Sequence, residues 1–182
     1  MSERYLALLR GINVGGRNLI GKDDLRRCFE NLGFDRVRTY IQSGNVLFRT
    51  AAADVEELNA DVEQALSDRF SYAARSVVLS HAGYTAALAA APPGWGEDAA
   101  SRHNALFTMA GVTPEEVLAD LPPAKPDIDA IAAGPGVVFW SAPEDRITRS
   151  AFMKLPTLPV YQRVTIRNHN TARKLAALLD EL

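Results

Sequence analysis

One order of hydrophobic patterns occurs twice along the chain, and it constrains the fold more than any other feature. In each half, two apolar and β-branched runs flank a turn, "SGN" at 43–45 and "GPG" at 134–136, and a further run lies before and after that pair. Helical patterns separate the outer runs from the pair. The order strand–helix–strand–strand–helix–strand is the split βαβ, or ferredoxin-like, arrangement. We therefore predict an α+β protein with two such units in tandem, each an antiparallel sheet with helices packed on one face.

The predicted strands are short runs rich in valine, isoleucine and aromatic residues. They cover residues 4–10, 37–42, 46–50, 75–80, 104–110, 127–133, 137–140 and 162–168. Helix signals lie between them. Gly33 is a left-handed stop that lets Phe34 fold back on Phe29. Asp54 opens a capping box, and Thr113 precedes a proline at the first turn of a helix.

A loop rich in proline and glycine, residues 91–103, marks the predicted boundary between the halves. Ser80 is the expected cap of a helix before that loop. In the second half, a short helix is predicted over 148–155, ended by Pro156. The two halves share no residue-level identity, so duplication is inferred from the order of elements alone. The predicted organisation is a first subdomain over 1–80, a connecting helix and loop over 81–102, and a second subdomain with a closing helix over 103–182.

Composition places the chain among ordinary globular proteins. Nearly half of its 182 residues are hydrophobic, and Cys28 is the only cysteine, so an intrachain disulfide and a cysteine-based zinc site are both excluded. The first ten residues lack the features of a signal peptide, and no run is long enough to span a bilayer. None of the three histidines has a second ligand at metal spacing. We expect a soluble cytoplasmic protein with no membrane partner, no metal and no cofactor.

The net charge of −2 hides a segregation of charge along the chain. Residues 1–50 carry a net charge of +4, residues 51–145 of −11, residues 146–175 of +7 and residues 176–182 of −2. One interpretation is that the charged segments form separate solvated surfaces and that the segregation arises by chance. The other is that the two basic segments converge on one anionic partner, either a phosphate-bearing small molecule or a single-stranded nucleic acid.

The loop "GINVGGRN" (11–18) follows the first predicted strand and precedes the first helix. Gly11 and Gly16 have the separation found in a nucleoside-triphosphate loop. Arg17 stands where that loop has lysine, and Asn18 stands where it has a hydroxyl for magnesium. The strand order also lacks the parallel sheet on which such loops lie. The sequence argues against a triphosphatase and leaves two interpretations, a sharp glycine turn and an anion site.

Strand direction predicts that this loop lies beside the hairpin turn at 43–45. In a split βαβ unit the first and second strands run parallel, so both end at the same edge of the sheet. Backbone N–H groups and guanidinium groups at such an edge can hold a phosphate or a carboxylate. The predicted anion-binding residues at this edge are Arg10, Gly11, Asn13, Gly15, Gly16, Arg17, Asn18, Ser43, Gly44 and Asn45.

A second polar motif, "RNHNT" (167–171), joins the last predicted strand to the last helix. Its structural interpretation makes Asn170 or Thr171 the helix cap. Its functional interpretation places an anion at the helix N-terminus, with Arg167 as the counter-charge and Asn168 beside it.

Two further residue types have a structural and a functional interpretation. Cys28 lies on the apolar face of the first helix, which predicts a small core residue and not a catalytic thiol. The strand aromatics Tyr40, Phe48, Phe139 and Trp140 are typical of a core, although on an RNA-binding sheet they would stack on bases.

Three stretches of the chain resemble a bacterial family catalogued as domain of unknown function 1697. They are "LLRGINVGGRN" (8–18), "LGFDRVRTYIQSGNVLF" (32–48) and "TIRNHNTARKLAAL" (165–178), in this order over nearly the whole length. The resemblance implies a small cytoplasmic α+β protein without an assigned activity. It directs attention to the glycine loop, the hairpin turn and the motif at 167–171. Where the family has tryptophan or another aromatic residue, this chain has His169, so a role that needs an indole there is not implied.

Three functions are open at this level. The first, which the glycine loop and the charge segregation favour, is binding of an anionic ligand without catalysis. The second is an enzyme of unknown reaction with a site between the two subdomains, in which Lys154 or His169 acts as acid or base. The third is a structural module whose two units pair within one chain or between chains. The sequence decides neither whether the protein is an enzyme nor whether it is a monomer or a homodimer.

Overall fold

The computed structural model describes residues 2–13, 16, 18–41, 44–52 and 54–182. The chain divides into two compact units. Unit 1 comprises Met1–Tyr84 with Leu175–Leu182, and unit 2 comprises Thr85–Lys174. Each unit contains one antiparallel four-stranded sheet together with helices, which confirms the predicted mixture of helices and antiparallel sheets.

Unit 1 contains a sheet whose central strands are the first and the third of the chain. Its elements are β1 (Glu3–Arg10), α1 (Lys22–Asn31), β2 (Asp35–Tyr40), β3 (Asn45–Thr50), α2 (Val55–Phe70) and β4 (Arg75–Ser80). The strand order is β2-β3-β1-β4. Leu6 of β1 lies opposite Leu47 of β3 on one side and Leu79 of β4 on the other. Helix α3 (His81–Ala89) follows β4, and the Ser80 hydroxyl accepts a hydrogen bond from Gly83 N at 3.1 Å, as the sequence predicts.

Unit 2 repeats this strand arrangement. Its elements are β5 (Ser101–Thr108), α4 (Pro114–Asp120), β6 (Ala130–Gly134), β7 (Val137–Pro143), β8 (Val164–Asn168) and the start of α5 (His169–Asp180). The strand order is β6-β7-β5-β8. The predicted cap of α4 is confirmed, because Thr113 Oγ1 accepts from Glu116 N at 3.2 Å while the Glu116 carboxylate accepts from Thr113 N at 2.8 Å.

The short helix predicted over 148–155 is present as 3-10 structure with other bounds, and Pro156 lies inside a segment that it was predicted to end. Three 3-10 segments occupy the chain between β7 and β8, namely Glu144–Arg149, Ala151–Thr157 and Pro159–Arg163. Ser150 separates the first two segments, and its hydroxyl accepts from Phe152 N at 3.1 Å. Pro156 and Pro159 lack the N–H that an α-helix needs, so the segment breaks into short tight turns.

The core of unit 1 lies between one face of its sheet and the helices α1 and α2. Phe48 of β3 is its centre, with Phe34 stacked on it at 4.4 Å between ring centroids and Phe29 edge-on at 5.5 Å. The predicted contact of Phe34 with Phe29 is confirmed at 6.2 Å, and Gly33 before it has a φ of +81°. Cys28 is buried in this core, and burial raises the pKa of its thiol, which is the state of an inert core residue.

Burial also decides between the two interpretations of the strand aromatics. Phe48, Phe139 and Trp140 are each at most 1% exposed, so base stacking is wrong for these three rings. They are core residues, and Trp140 packs edge-on against Phe152 at 5.3 Å. Tyr40 is half-buried.

Within the described ranges, no helix has both the length and the apolar character needed to cross a membrane.

Candidate functional site

The glycine loop after β1 is closed by its own asparagine side chains. Gly11 turns the chain with a φ of +73°. Asn13 Oδ1 accepts from Ile20 N at 2.8 Å, and Asn13 Nδ2 donates to Ile20 O at 3.1 Å. Asn18 Nδ2 donates to Gly11 O at 2.8 Å. Both amides therefore stabilise the loop, which gives these two residues a structural role that the sequence left open.

The hairpin turn meets this loop at one end of the sheet, as strand direction predicted. Leu9 N donates to Gly44 O at 2.7 Å. A Cβ on Gly44 would lie 2.8 Å from both Leu9 Cβ and Ile12 Cδ1, so only glycine allows the turn to approach the loop this closely. Asn45 is fully buried, and its Nδ2 donates to Tyr40 O at 3.0 Å across the base of the turn.

Arg10 and Gly16 are the other predicted anion-binding residues of this edge that the structure describes. Arg10 is half-buried and lies opposite Arg75 on β4. Gly16 is exposed and has a φ of +74°. The predictions for Gly15, Arg17 and Ser43 lie outside the described residues.

A pocket of about 650 Å³ lies beside the two turns, and we call it the loop pocket. The end of the glycine loop, the start of α1 and the end of β2 form its walls. Its described lining residues are Asn13, Leu19, Ile20, Gly21, Lys22, Leu25, Thr39 and Ile41. The lining combines apolar side chains with few polar groups, which is the composition of a small-molecule site.

Lys22 is the charged residue among the described lining of the loop pocket, and the first turn of α1 also carries Asp23 and Asp24. Lys22 is exposed, and no carboxylate of the described chain lies within 4 Å of its ammonium group. Gly21 is the N-cap of α1 and provides no side-chain cap for the first N–H groups of the helix. Asp24 in the first turn is held by Arg27 at 2.8 Å.

Sequence reasoning missed the apolar part of this pocket. Leu19 is 74% exposed and Ile41 is 52% exposed, although both are large hydrophobic side chains. The available signal was their position, since Leu19 follows the glycine loop and Ile41 lies near the end of the predicted strand over 37–42, beside the hairpin turn.

The motif at 167–171 has a structural role different from the predicted one. Asn168 caps α5, because its Oδ1 accepts from Thr171 N at 2.8 Å, so the prediction of Asn170 or Thr171 as cap is wrong. Arg167 is 7% exposed, and its Nη1 donates to Ile166 O at 2.8 Å and Thr165 Oγ1 at 3.0 Å. The guanidinium group of Arg167 therefore forms hydrogen bonds to residues of its own strand, β8. Asn170 is exposed.

His169 lies in an aromatic cluster of unit 2. Its ring centroid is 6.1 Å from that of Trp95 and 5.3 Å from that of His103. A Cβ on Gly96 would lie 2.8 Å from the His169 ring, so the glycine gives the ring its space. Arg173 is on the next turn of α5 and donates to Trp95 O at 2.8 Å.

This cluster predicts that acid destabilises the protein through His169. Burial, followed by electrostatic interaction with His103 and Arg173, lowers the pKa of His169 below its ordinary value of 6.5. As the pH falls through 6.5, the unfolded chain takes up the proton before the folded one does, so stability is full above that pH and is lost below it. Urea unfolding between pH 7.5 and 5 measures this loss. In His169→Phe the loss is expected to be smaller, and an identical pH dependence in both proteins contradicts the assignment.

The two residues predicted as acid or base in a catalytic site, Lys154 and His169, both belong to unit 2. Lys154 is exposed on the second 3-10 segment. Among the residues that the structure describes, no three histidine, cysteine, aspartate or glutamate side chains are grouped so that they could hold a metal ion.

Comparison with known proteins gives a family and a fold. Residues 2–139 match a family described as protein of unknown function (DUF1697). The solved structure of conserved bacterial protein SP0830 from Streptococcus pneumoniae is similar, with a TM-score of 0.88 and 30% sequence identity over 98% of this chain and 99% of that one. No protein with a curated description matches the chain.

Proposed function

The chain belongs to the DUF1697 family, and from the geometry of unit 1 we propose that it binds a small molecule with an apolar body and an anionic group in the loop pocket. The observation that carries the proposal is the pocket itself, in which apolar side chains lie beside a lysine and an uncapped helix N-terminus. Its volume of about 650 Å³ is in the range of small-molecule sites.

Each part of the proposed ligand has a matching part of the pocket. Leu19, Leu25 and Ile41 supply apolar surface for the body of the ligand. Lys22 and the first N–H groups of α1 supply charge and hydrogen-bond donors for a phosphate or carboxylate group. Thr39 adds a hydroxyl at the opposite wall.

Binding of a small molecule is better supported than binding of a nucleic acid. Three of the four aromatic residues that could have stacked on bases are buried in the cores. A nucleic acid would need such a platform or an extended basic groove. The concave pocket offers a site of limited size instead.

Binding without catalysis is also the better supported form of the proposal. Among the described lining residues, Lys22 is the sole titratable side chain. General acid–base chemistry uses positioned titratable groups, commonly a complementary pair. An enzyme with a site between the two subdomains and a structural module remain the alternatives.

The strand orders β2-β3-β1-β4 and β6-β7-β5-β8 support a second part of the proposal, that the two units are ferredoxin-like units in tandem. In unit 2 the 3-10 segments between β7 and β8 take the place of the second helix. This arrangement places the loop pocket at the end of the unit 1 sheet where β1 and β2 both finish.

Replacing Lys22 tests the proposed function. We expect a phosphorylated small molecule, in a low-salt thermal-shift screen of nucleotides, sugar phosphates, polyphosphate and short RNA, to raise the Tm of the wild type. Lys22→Gln is expected to weaken that ligand about tenfold or more, because it removes a charge-assisted hydrogen bond. Lys174→Gln, an exposed lysine on α5, is the matched control and should bind like the wild type.

Two results contradict the proposal. The first is that no compound of the screen stabilises the protein while Lys22→Gln is folded. The second is stabilisation by RNA alone with a steep loss of affinity in salt, which is the behaviour of a nucleic-acid-binding protein.

A further inference from the structure

A pair of arginines lies at the other end of the unit 1 sheet, away from the loop pocket. Arg4 of β1 and Arg49 of β3 are directly opposite each other in the strand register. Like charges in this position destabilise a sheet unless another group compensates them. Arg4 is compensated, because its Nη1 donates to Leu179 O at 3.1 Å and to Asp180 O at 2.8 Å, at the negative end of α5.

Arg49 has no such compensation. Within the described part of the chain, no carboxylate lies within 4 Å of its guanidinium group. Its Nη2 donates to Ser2 O at 3.1 Å. The Nε atom of Arg49 is buried and has no hydrogen-bond acceptor among the described residues. The hydroxyl oxygen of Ser2 is also buried and has no hydrogen-bond partner among them. Buried donors without a partner cost free energy and are rare in folded proteins, so the guanidinium group of Arg49 is only partly satisfied within the fold.

Arg36 supplies a second guanidinium group beside Arg49, and its backbone conformation is strained. It has a φ of +51°, a left-handed conformation that residues with a side chain rarely adopt. The register between β2 and β3 shifts between Asp35 and Arg38, and this irregularity contains Arg36. Strained backbone of this kind is concentrated at ligand sites. No carboxylate in the described ranges lies within 4 Å of this guanidinium group either.

These groups line one pocket of about 490 Å³, formed by Ser2, Asp35, Arg36 and Arg49. We propose that this pocket is a second anion site, in which the guanidinium groups of Arg49 and Arg36 bind a phosphate group. Paired guanidinium donors match the oxygens of a phosphate. Asp35 also lines the pocket, so the described lining has a net charge of +1, and the phosphate lies beside the two arginines and away from Asp35.

The Nε–H group of Arg49 gives a direct spectroscopic test. In a ¹⁵N-labelled full-length protein, the arginine Nε–H resonances are resolved, and that of Arg49 is assigned by its loss in Arg49→Gln. Inorganic phosphate is titrated at constant ionic strength, with chloride as the balancing anion. We expect a saturable shift of the Arg49 resonance, at least tenfold weaker affinity in Arg49→Gln by backbone shifts around Ser2, and wild-type affinity in the control Arg27→Gln. Glycerol 3-phosphate in a second titration distinguishes a phosphate ester from free phosphate by its affinity.

Arg36→Gly separates a ligand site from a merely structural cluster. Glycine removes both the strain at φ +51° and the guanidinium group. We expect the phosphate-free variant to have a higher Tm than the wild type and to bind phosphate at least tenfold more weakly. Absence of a saturable shift in the wild type, or unchanged phosphate affinity in both Arg36→Gly and Arg49→Gln, overturns the proposal. Lys22→Gln is expected to retain this phosphate binding, so the result is independent of the loop pocket.

Discussion

Replacing Gly44 with alanine is expected to lower the free energy of unfolding by about 3 kcal/mol, since it adds a clash to backbone strain. Gly44 has a φ of +81°. The new Cβ would lie 2.8 Å from Leu9 Cβ and from Ile12 Cδ1. Leu9 Cβ is fixed by the central strand of the sheet, so the turn itself must move. Urea unfolding followed by circular dichroism measures the change.

Gly11→Ala is the matched control for this substitution. Gly11 also has a positive φ, +73°, but nothing lies within 4 Å of the position that its Cβ would occupy. Strain alone predicts a loss of about 1 kcal/mol. Because the turn has to move only in Gly44→Ala, ligand binding in the loop pocket is expected to weaken in that variant more than in Gly11→Ala. Equal destabilisation by the two substitutions would show that the approach of the two turns is not what restricts position 44 to glycine.

Asp129→Ala is expected to destabilise the protein by about 3 kcal/mol, because it leaves several buried donors without an acceptor. The Asp129 carboxylate accepts from Trp140 Nε1 at 3.1 Å, from Ala151 N at 3.1 Å and from the Ser150 hydroxyl. It also accepts from Lys125 N at 2.9 Å. These bonds connect the chain before β6 to β7 and to the second 3-10 segment.

The same carboxylate predicts a loss of stability in acid. Burial raises the pKa of Asp129, but the hydrogen bonds from Ser150, Lys125 N, Ala151 N and Trp140 outweigh burial and hold it below the usual range. The stability due to the ionised group is therefore present above the usual pKa of 3.8 and is lost as the pH falls through the lowered value. Asp145→Ala, at an 80% exposed side chain, is the control and should change stability by less than about 0.5 kcal/mol. If both variants unfold alike, the carboxylate network of Asp129 does not stabilise unit 2.

Local patterns in the sequence were sufficient for most elements of unit 1. Alternating apolar residues on β1 and β3, the stop at Gly33 and the cap at Asp54 each depend on neighbours in the chain. Asp54 Oδ1 accepts from Glu56 N at 2.9 Å and from Glu57 N at 3.1 Å, as a local cap does. Such signals can be read without knowledge of tertiary structure.

The errors occurred where a distant residue determines the local structure. The predicted strand at 127–133 begins later, at Ala130, because Asp129 accepts hydrogen bonds from residues well beyond it in sequence. The cap of α5 was misplaced because Asn168, Asn170 and Thr171 are all good cap residues, and only the end of β8 decides among them. A helix was predicted over 148–155, but the prolines after it and Ser150 within it give 3-10 segments over 144–163.

The candidate sites were even less accessible to sequence reasoning. The glycine loop and the hairpin turn could be placed together from strand direction, but the pocket beside them also depends on Leu19 and Ile41, which were not among the predicted site residues. Arg4 and Arg49 become neighbours only through the register of β1 with β3. Charge counts over sequence segments cannot reveal such a pair.

Methyl resonances of the loop pocket test the central claim most directly. The protein is labelled at the methyl groups of isoleucine, leucine and valine and titrated with the small phosphorylated compound that gives the largest rise in Tm. The proposed function predicts saturable shifts of the Leu19, Leu25 and Ile41 methyl groups, and at least tenfold weaker binding in Lys22→Gln. Saturable binding that leaves these three residues unshifted would contradict a ligand site in the loop pocket.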